Sequence, residues 1–238
     1  MTSDSLTKRL APALLAPLAL LLSACAALPP ARMQLPAELA GSEPAPLEGM
    51  KAGRSGEFEL EGQRGRYQRS ASRLAWFDGL VGLDQANAGY TWLADGPGAS
   101  TITTSCRGRQ TTSEIGIVSV TPKPFELRCE YRGAWSAQLT LTGTAAAAGT
   151  RQERRGWLQT PAGALELRSV HRVQGSPLPL EAPIGYVFLA EGRAVGAVEL
   201  NGLSPRVWRP TAGSPLRDGV THAALTLALL WDPAQRND

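Results

Sequence analysis

The chain contains few of the residues on which catalytic and metal sites are usually built. It has two histidines, His171 and His222, and three cysteines among 238 residues. No H-E-x-x-H, G-x-S-x-G, phosphate-loop or dinucleotide-binding motif occurs in it. These absences favour a non-catalytic protein, and we predict no catalytic residue, no metal ion and no cofactor.

An excess of charge of one sign is also missing. The chain carries 24 basic and 21 acidic residues, which gives a formal net charge of +3 at pH 7. Nucleic-acid-binding domains usually show a concentrated basic surface, so this balance predicts no nucleic-acid partner. All but three of the basic residues are arginine. We interpret this as a coding bias, and the alternative is that arginine forks bind phosphate or carboxylate groups.

No apolar run is long enough for a comfortable transmembrane helix. The run from Leu10 to Ala24 has 15 residues and contains Pro12 and Pro17, whereas a spanning helix needs roughly 20. It begins directly after Lys8 and Arg9. A charged segment before a short apolar segment is typical of an export signal that is later removed.

The end of this run, Leu22-Ser23-Ala24-Cys25, resembles the lipobox of bacterial lipoproteins. The resemblance implies that residues 1–24 are a signal peptide, that cleavage precedes Cys25, and that the Cys25 thiol receives the lipid, with palmitate among the acyl chains. In such lipoproteins an aspartate directly after the cysteine tends to retain the protein at the inner membrane. Ala26 stands at that position, so the resemblance implies an outer-membrane lipoprotein that faces the periplasm.

Residues 25–55 are rich in proline, alanine and glycine and show no sustained apolar period. Such composition predicts an extended, semi-stiff tether, with folding beginning near Gly56. Removal of residues 1–24 leaves enough chain for the core of one domain without help from a metal. We therefore predict a single β-rich domain over residues 56–238.

Cys106 and Cys129 remain once Cys25 carries the lipid. Both lie in strand-like runs, and an exported protein crosses an oxidising compartment in which two such thiols pair. We predict a disulfide between them. The alternative is a cysteine nucleophile, but no histidine lies near either residue in the sequence.

From Gly56 onward, short alternating runs are separated by turn residues, as where Phe58 and Leu60 alternate with glutamates. This pattern predicts roughly a dozen strands. Glu191-Gly192 and Asn201-Gly202 are the most turn-like connections. The alanine-rich stretch 145–148 and the charged residues after it are predicted to form an exposed loop.

The end of the chain departs from this β pattern. Ser214-Pro215 supply an N-cap and a first-turn proline for a helix from about Leu216 to Trp231. This helix has almost no polar face, and its apolar part is too short to span a membrane, so we predict that it is buried within the protein. A closed barrel of about a dozen strands could surround it. A β-sandwich or an open sheet with the helix on one face is the alternative.

The segments Ile184–Leu189 and Gly192–Leu200, followed by the terminal helix, resemble the tubby-like fold of tubby C-terminal domains, LURP-one-related proteins and phospholipid scramblases. The resemblance implies a twelve-stranded antiparallel barrel threaded by a hydrophobic C-terminal helix. No residues match the tubby phosphoinositide site or the scramblase calcium site, so neither activity is carried over.

Two groups of residues are candidates for contact with a ligand or partner. Trp76 and Phe77 are adjacent on a predicted strand, so one of them points away from the core unless both faces are covered. Arg151, Arg154 and Arg155 form a charged run that could bind an anion, although a solvated loop is the interpretation we favour. We predict a non-catalytic lipoprotein that binds a protein partner or a lipid in the cell envelope.

Two further interpretations stay open. His222 follows Asp218 by four positions, a helical spacing at which two side chains can meet. A carboxylate-oriented imidazole there would act as a general base, and the chain would then be an envelope hydrolase. A helix-start ion pair is the simpler explanation of this spacing. The third possibility is a structural subunit of a larger envelope assembly.

Overall fold

A computed structural model of the chain describes the following residues: 31–76, 81–93, 101–115, 118–144, 151–202 and 204–232. For a few strand residues beside the gaps, Trp76 among them, the backbone alone is described. Phe77 and residues 145–150 lie outside the described residues, so the predicted loop there is not tested.

Twelve antiparallel strands form a closed barrel. The predicted mostly-β fold with one C-terminal helix is thereby confirmed, and the barrel is correct rather than the sandwich. Consecutive strands pair with each other, and the last strand closes the ring by pairing with the first. The strands are β1 (Ala45–Glu48), β2 (Ser55–Leu60), β3 (Gln63–Trp76), β4 (Val81–Leu93), β5 (Thr101–Ile115), β6 (Val118–Gly133), β7 (Ala137–Gly143), β8 (Arg154–Thr160), β9 (Gly163–Val170), β10 (Gly185–Ala190), β11 (Arg193–Glu199) and β12 (Arg206–Trp208).

Alternation along the strands gives the barrel an apolar inner wall. In β7, Ala137, Leu139 and Leu141 are buried, whereas Gln138 and Thr140 are exposed. Successive side chains of a strand point to opposite faces, so this alternation places the apolar set inside and the polar set in solvent.

The α-helix near the C-terminus, α1 (Arg217–Leu229), lies inside the barrel. Every residue from Gly219 to Leu229 is buried. Contacts come from opposite walls, since Val220 lies against Gly196 of β11 and the hydroxyl groups of Thr226 and Tyr131 of β6 are 2.7 Å apart. The predicted burial of an all-apolar helix is therefore confirmed.

Close approach of α1 to the wall depends on Gly196. A Cβ atom at this position would lie 2.5 Å from Cγ1 of Val220, which is too close for any real contact. The predicted cap at the start of the helix is wrong. The Ser214 hydroxyl accepts a hydrogen bond from the Leu216 N–H at 3.4 Å, so it belongs to a turn before the helix, and Leu216 holds the N-cap position.

The predicted tether is folded from Ala31 onward. Met33 and Leu39 are buried against the outside of β10 and β11, together with Val187 and Ala197. The segment is fixed by the fully buried Glu199, whose carboxylate accepts a 2.7 Å hydrogen bond from the Met33 N–H and another from Arg206.

The prediction that folding begins near Gly56 is therefore corrected. Strand β1 is part of the barrel, and the compact unit that contains the barrel begins at Ala31. The high proline content of this stretch predicted a tether, although Met33 and Leu39 within it are buried. Because this segment covers the outside of β10, that strand is buried on both faces, which explains its continuous apolar sequence.

One of the two predicted turn connections is a tight turn, and the other is longer. Glu191 and Gly192 have φ values of 51° and 79°, so both adopt the left-handed conformation of a two-residue hairpin turn between β10 and β11. Asn201-Gly202 instead lies within the longer connection between β11 and β12, where Gly202 alone of the two has a positive φ.

The predicted cysteine pair lies in the inner wall. Cys106 and Cys129 are directly opposite each other on β5 and β6, and their sulfur atoms are 2.07 Å apart, which is a disulfide distance. Both residues are buried.

We expect this bridge to contribute about 3 kcal/mol to the free energy of unfolding, because it closes a loop in the unfolded chain. The two cysteines are separated by 23 positions. Urea unfolding of the oxidised protein, the reduced protein and the double variant Cys106→Ala/Cys129→Ala measures the contribution. Equal midpoints for the oxidised and reduced proteins would contradict the expectation.

Candidate functional site

The barrel has two ends, and we name the end at which α1 finishes the exit end. Because consecutive strands are antiparallel, the β9–β10 and β11–β12 connections both lie at this end. The first described residues of the chain lie there too. Met33 pairs with Val173 just after β9, and the Asn201 side-chain amide donates a hydrogen bond to the Ala31 carbonyl oxygen.

A cavity of about 510 Å³ opens at the exit end beside the last turn of α1. Its wall is partly apolar, with side chains from the helix and from the β11–β12 connection. Two arginines, Arg54 and Arg69, and one carboxylate, Asp232, also line it. The apolar members are Ala71, Leu200, Pro205, Leu227, Ala228, Leu230 and Trp231.

Arg69 is the unusual member of this wall, because none of the described acidic residues pairs with its guanidinium. The residue is 8% exposed. Nε donates to the Gly53 carbonyl oxygen at 3.0 Å and Nη2 to that of Lys51 at 2.5 Å. The guanidinium carbon lies 5.1 Å from the centre of the Tyr67 ring and 4.8 Å from that of Trp231.

The charge of Arg69 is therefore balanced by carbonyl dipoles and ring faces alone. Among the described residues no carboxylate lies within ion-pair distance of it. Burial lowers the pKa of Arg69 from its ordinary value, yet an arginine guanidinium stays protonated in proteins. A buried charge is normally paired, so this arrangement favours an anion at the cavity.

The Asp232 carboxylate in the same wall is already neutralised. Arg154 binds it in a bidentate pair, with N–O distances of 2.5 and 2.7 Å, and also donates to the Tyr186 hydroxyl at 3.0 Å. The Arg154 side chain is 1% exposed and stacks over the Phe125 ring. Burial opposes its charge, but Asp232 and Tyr186 outweigh that effect and raise the pKa of Arg154 above its ordinary value.

The structure does not bring the three candidate arginines of the sequence together. Arg154 points into the barrel, whereas its neighbour Arg155 points outward and pairs with Glu166. Arg151 is exposed and lies 3.3 Å from the Glu153 carboxylate. A joint anion site of these residues is therefore wrong, because adjacent residues of a strand face opposite sides. Of the aromatic candidates, Trp76 is the last residue of β3, with its side chain outside the described part, and Phe77 is not described at all.

Arginines on the outer wall bind carboxylates of the same wall. Glu126 accepts hydrogen bonds from Arg109 and Arg128, and these arginines lower the pKa of the Glu126 carboxyl below its usual value. Glu166 is shared in the same way by Arg155 and Arg168. The arginine forks thus meet carboxylates, as one of the two interpretations of the arginine content expected.

His222 lies in the core inside an aromatic cage. The ring centres of Tyr90, Trp92, Tyr131 and Trp135 are between 5.1 and 6.2 Å from that of His222. The Tyr90 hydroxyl donates to the His222 carbonyl oxygen at 3.1 Å and lies 3.0 Å from Nδ1. We therefore assign the Nδ1–H tautomer, in which the ring donates to that hydroxyl. Burial lowers the pKa of His222 to about 4.

The predicted contact between Asp218 and His222 is absent. Asp218 is exposed in the first turn of α1, whereas His222 is buried one turn deeper. His222 is thus a neutral core residue, and the spacing that favoured a general base reflects only the helical repeat.

The other histidine, His171, lies at the exit end in a group of hydrogen bonds that the sequence did not predict. His171 Nε2 lies 2.9 Å from the Ser169 hydroxyl, and Nδ1 lies 3.0 Å from the Leu180 carbonyl oxygen. The Leu180 carbonyl oxygen can only accept, so Nδ1 of the neutral ring donates to it and Nε2 accepts the hydrogen of the Ser169 hydroxyl. Ser169 in turn accepts a 2.8 Å hydrogen bond from the Arg154 N–H. Ser169 and His171 are two positions apart in a strand-like run, and this spacing could have predicted that their side chains lie on the same side. The contacts fasten the β9–β10 connection to the barrel.

Within the described part of the chain, no three His, Cys, Asp or Glu side chains are grouped as metal ligands would be. No helix of that part is long and apolar enough to cross a membrane. The chain matches no family model, no curated protein and no solved structure.

We expect His222 to make the fold sensitive to acid. Its pKa of about 4 lies below the 6.5 of an unperturbed imidazole, so between these values the unfolded chain takes up a proton that the folded chain refuses. The stabilisation is complete above pH 6.5 and is lost as the pH falls to about 4, a change of roughly 3 kcal/mol. Urea unfolding of the wild type and His222→Gln across this window measures it. Parallel pH curves for the two proteins would contradict the assignment.

Arg154 and Arg155 are adjacent and provide a matched test of the buried ion pair. We expect Arg154→Met to lower the free energy of unfolding by about 3–5 kcal/mol, since it removes the bidentate guanidinium that pairs with the Asp232 carboxylate. Arg155 is 64% exposed, and Arg155→Met should cost about 1 kcal/mol or less. Urea denaturation of both variants gives the comparison, and equal losses would refute the distinction.

Proposed function

We propose that the mature chain is an outer-membrane lipoprotein, anchored through Cys25 and facing the periplasm, whose barrel binds an anionic lipid in the exit-end cavity. The protein acts as a non-catalytic binding module in the cell envelope. The lipobox Leu22-Ser23-Ala24-Cys25 supports the anchor, and Ala26 after it favours the outer membrane.

One observation carries the choice of ligand. Arg69 is a buried cation that has no carboxylate partner within the described part of the chain, and it lies beside an apolar wall that includes Leu200 and Leu230. An anionic headgroup would pair with Arg69 and with the exposed Arg54, while the acyl part would contact the leucines. A volume of about 510 Å³ lies within the range of ligand pockets, about 300–1,000 Å³.

The other interpretations have less support. A hydrolase at Asp218 and His222 would require the two side chains to meet in contact with a substrate, and one is exposed while the other is enclosed by aromatic rings. A protein partner, the other kind of ligand that the sequence predicts, remains if the cavity takes no lipid.

Intact mass spectrometry of the full chain purified from bacterial membranes tests both parts of the proposal. Denaturing conditions should show a mature chain that begins at Cys25 and carries a covalent lipid, and native conditions should show an additional bound lipid. We expect Arg54→Glu to keep the covalent lipid and to lower the occupancy of the bound lipid about tenfold, because it places a negative charge at the cavity.

Arg64→Glu is the matched control. Arg64 is an exposed arginine of the outer wall that pairs with Glu59, away from the cavity. It should leave both masses unchanged. An unmodified Cys25 would refute the anchor, and a lipidated chain without a bound lipid would refute the lipid site and leave the protein partner.

A further inference from the structure

Two leucines project from the exit end into solvent. Leu178 is 73% exposed and Leu180 is 45% exposed, and both belong to the connection between β9 and β10. Single exposed apolar residues are common on protein surfaces, but Leu178 and Leu180 are two positions apart in the same connection and form a patch.

The loop is fixed in a position that keeps these side chains outside the core. The Leu180 N–H donates to the His171 carbonyl oxygen at 2.8 Å, and the Leu180 carbonyl oxygen lies 3.0 Å from His171 Nδ1. The Ser176 hydroxyl bonds the backbone of Leu178. Pro177 and Pro179 flank Leu178 and restrict its backbone. The hydrogen bonds and the two prolines therefore hold Leu178 and Leu180 in exposed positions.

The first described residues, from Ala31 onward, lie beside this loop. The Gln174 N–H donates to the Arg32 carbonyl oxygen at 2.8 Å, and the Gln34 N–H donates to the Arg172 carbonyl oxygen at 2.9 Å. Arg32 and Arg172 are both exposed, and among the described residues neither side chain has an ion-pair partner. We name Arg32, Arg172, Leu178 and Leu180 the docking patch.

The other charged residues near the docking patch do not cancel its positive charge. Arg151 and Glu153 lie within ion-pair distance of each other. Glu181 accepts a hydrogen bond from the Gln152 side chain and contributes one negative charge. The two free arginines outnumber it, so the patch presents exposed leucines within a surface of net positive charge. This combination matches the boundary between acyl chains and anionic headgroups of a bilayer.

The length of chain before Ala31 brings this surface to the bilayer. Five residues separate Cys25 from Ala31 in the sequence. An extended chain spans at most about 3.5 Å per residue, so a lipid on Cys25 would hold Ala31 within about 20 Å of its glyceryl group. A long tether would allow any orientation, whereas this short one places the exit end next to the membrane.

From these observations we propose that the docking patch rests on the anionic bilayer surface and orients the barrel with its exit end, and the opening of its cavity, towards the lipids. The inference builds on the proposed lipid anchor. Its consequence is that the cavity takes its ligand directly from the membrane to which the protein is attached.

Site-specific quenching in vesicles tests the orientation. The full mature lipoprotein carrying Leu178→Cys, labelled with a fluorophore, is reconstituted into vesicles of phosphatidylethanolamine and phosphatidylglycerol that contain a nitroxide-labelled lipid. Ala162→Cys is the control, because Ala162 is exposed in the β8–β9 turn at the opposite end of the barrel. We expect quenching at position 178 to exceed that at position 162 about threefold or more, since nitroxide quenching requires proximity to the bilayer.

A charge variant separates the contribution of the arginines. The double change Arg32→Glu/Arg172→Glu should reduce quenching at position 178 in these vesicles and have a smaller effect in vesicles of neutral phosphatidylcholine. Equal effects in both kinds of vesicle would overturn the electrostatic part of the proposal.

The outcomes distinguish this inference from the anchor. If intact mass confirms the lipid on Cys25 and positions 178 and 162 are quenched equally, the docking patch is overturned while the anchor stands. If Cys25 carries no lipid, the same labelled protein added to vesicles tests the patch alone, and stronger quenching at 178 supports it while equal quenching overturns it. The label at position 178 could also be unquenched in vesicles and yet be shielded from aqueous iodide in native membranes. That result would mean that a protein covers the docking patch, and it would also overturn the proposal.

Discussion

The enclosure of an apolar helix by the barrel is the constraint on which the rest of the structure depends. A helix about 10 Å wide does not fit in an eight-stranded barrel that side chains already fill, so the ring needs more strands. Gly196 lets the helix approach β11, and the Tyr131 hydroxyl meets Thr226 on the β6 side. His222 is consistent with this enclosure only as a neutral ring surrounded by aromatic side chains, which removes it from the list of catalytic candidates.

The two ends of the barrel differ because of what precedes and follows this helix. At the exit end, Asp232 is held by Arg154, and Arg69 packs between Tyr67 and Trp231. The amino-terminal segment runs along β10 and β11 and begins at the same end, beside Asn201. The cavity, the exposed leucines and the first described residues, from Ala31 onward, therefore share one end. This coincidence underlies the proposal of a lipid-anchored barrel that faces the membrane with its binding site.

Much of the fold could be predicted from local patterns, and most of the candidate site could not. Alternating strands, an all-apolar helix and two cysteines in strand runs are visible within short windows of sequence. The residues that define the cavity are far apart in the sequence. Arg154 and Asp232 are separated by 78 positions. Arg69, whose Nη1 donates a hydrogen bond to the Leu229 carbonyl oxygen, is 160 positions from that residue. Asp218 and His222 were misleading because a spacing of four implies a shared helix face but not equal depth. The proline-rich composition of residues 25–55 predicted a tether, because composition does not show that individual side chains such as Met33 and Leu39 are buried.

Hydrogen exchange of α1 tests the central claim most directly. A helix enclosed by the barrel can exchange its amide protons only when the barrel opens, so the exchange free energy at Leu225 should equal the free energy of global unfolding measured with urea. The amides of β7 and β8 should exchange with the same free energy. Exchange of the helix at a clearly lower free energy than these strands would mean that it leaves the barrel without unfolding it, and would contradict the account.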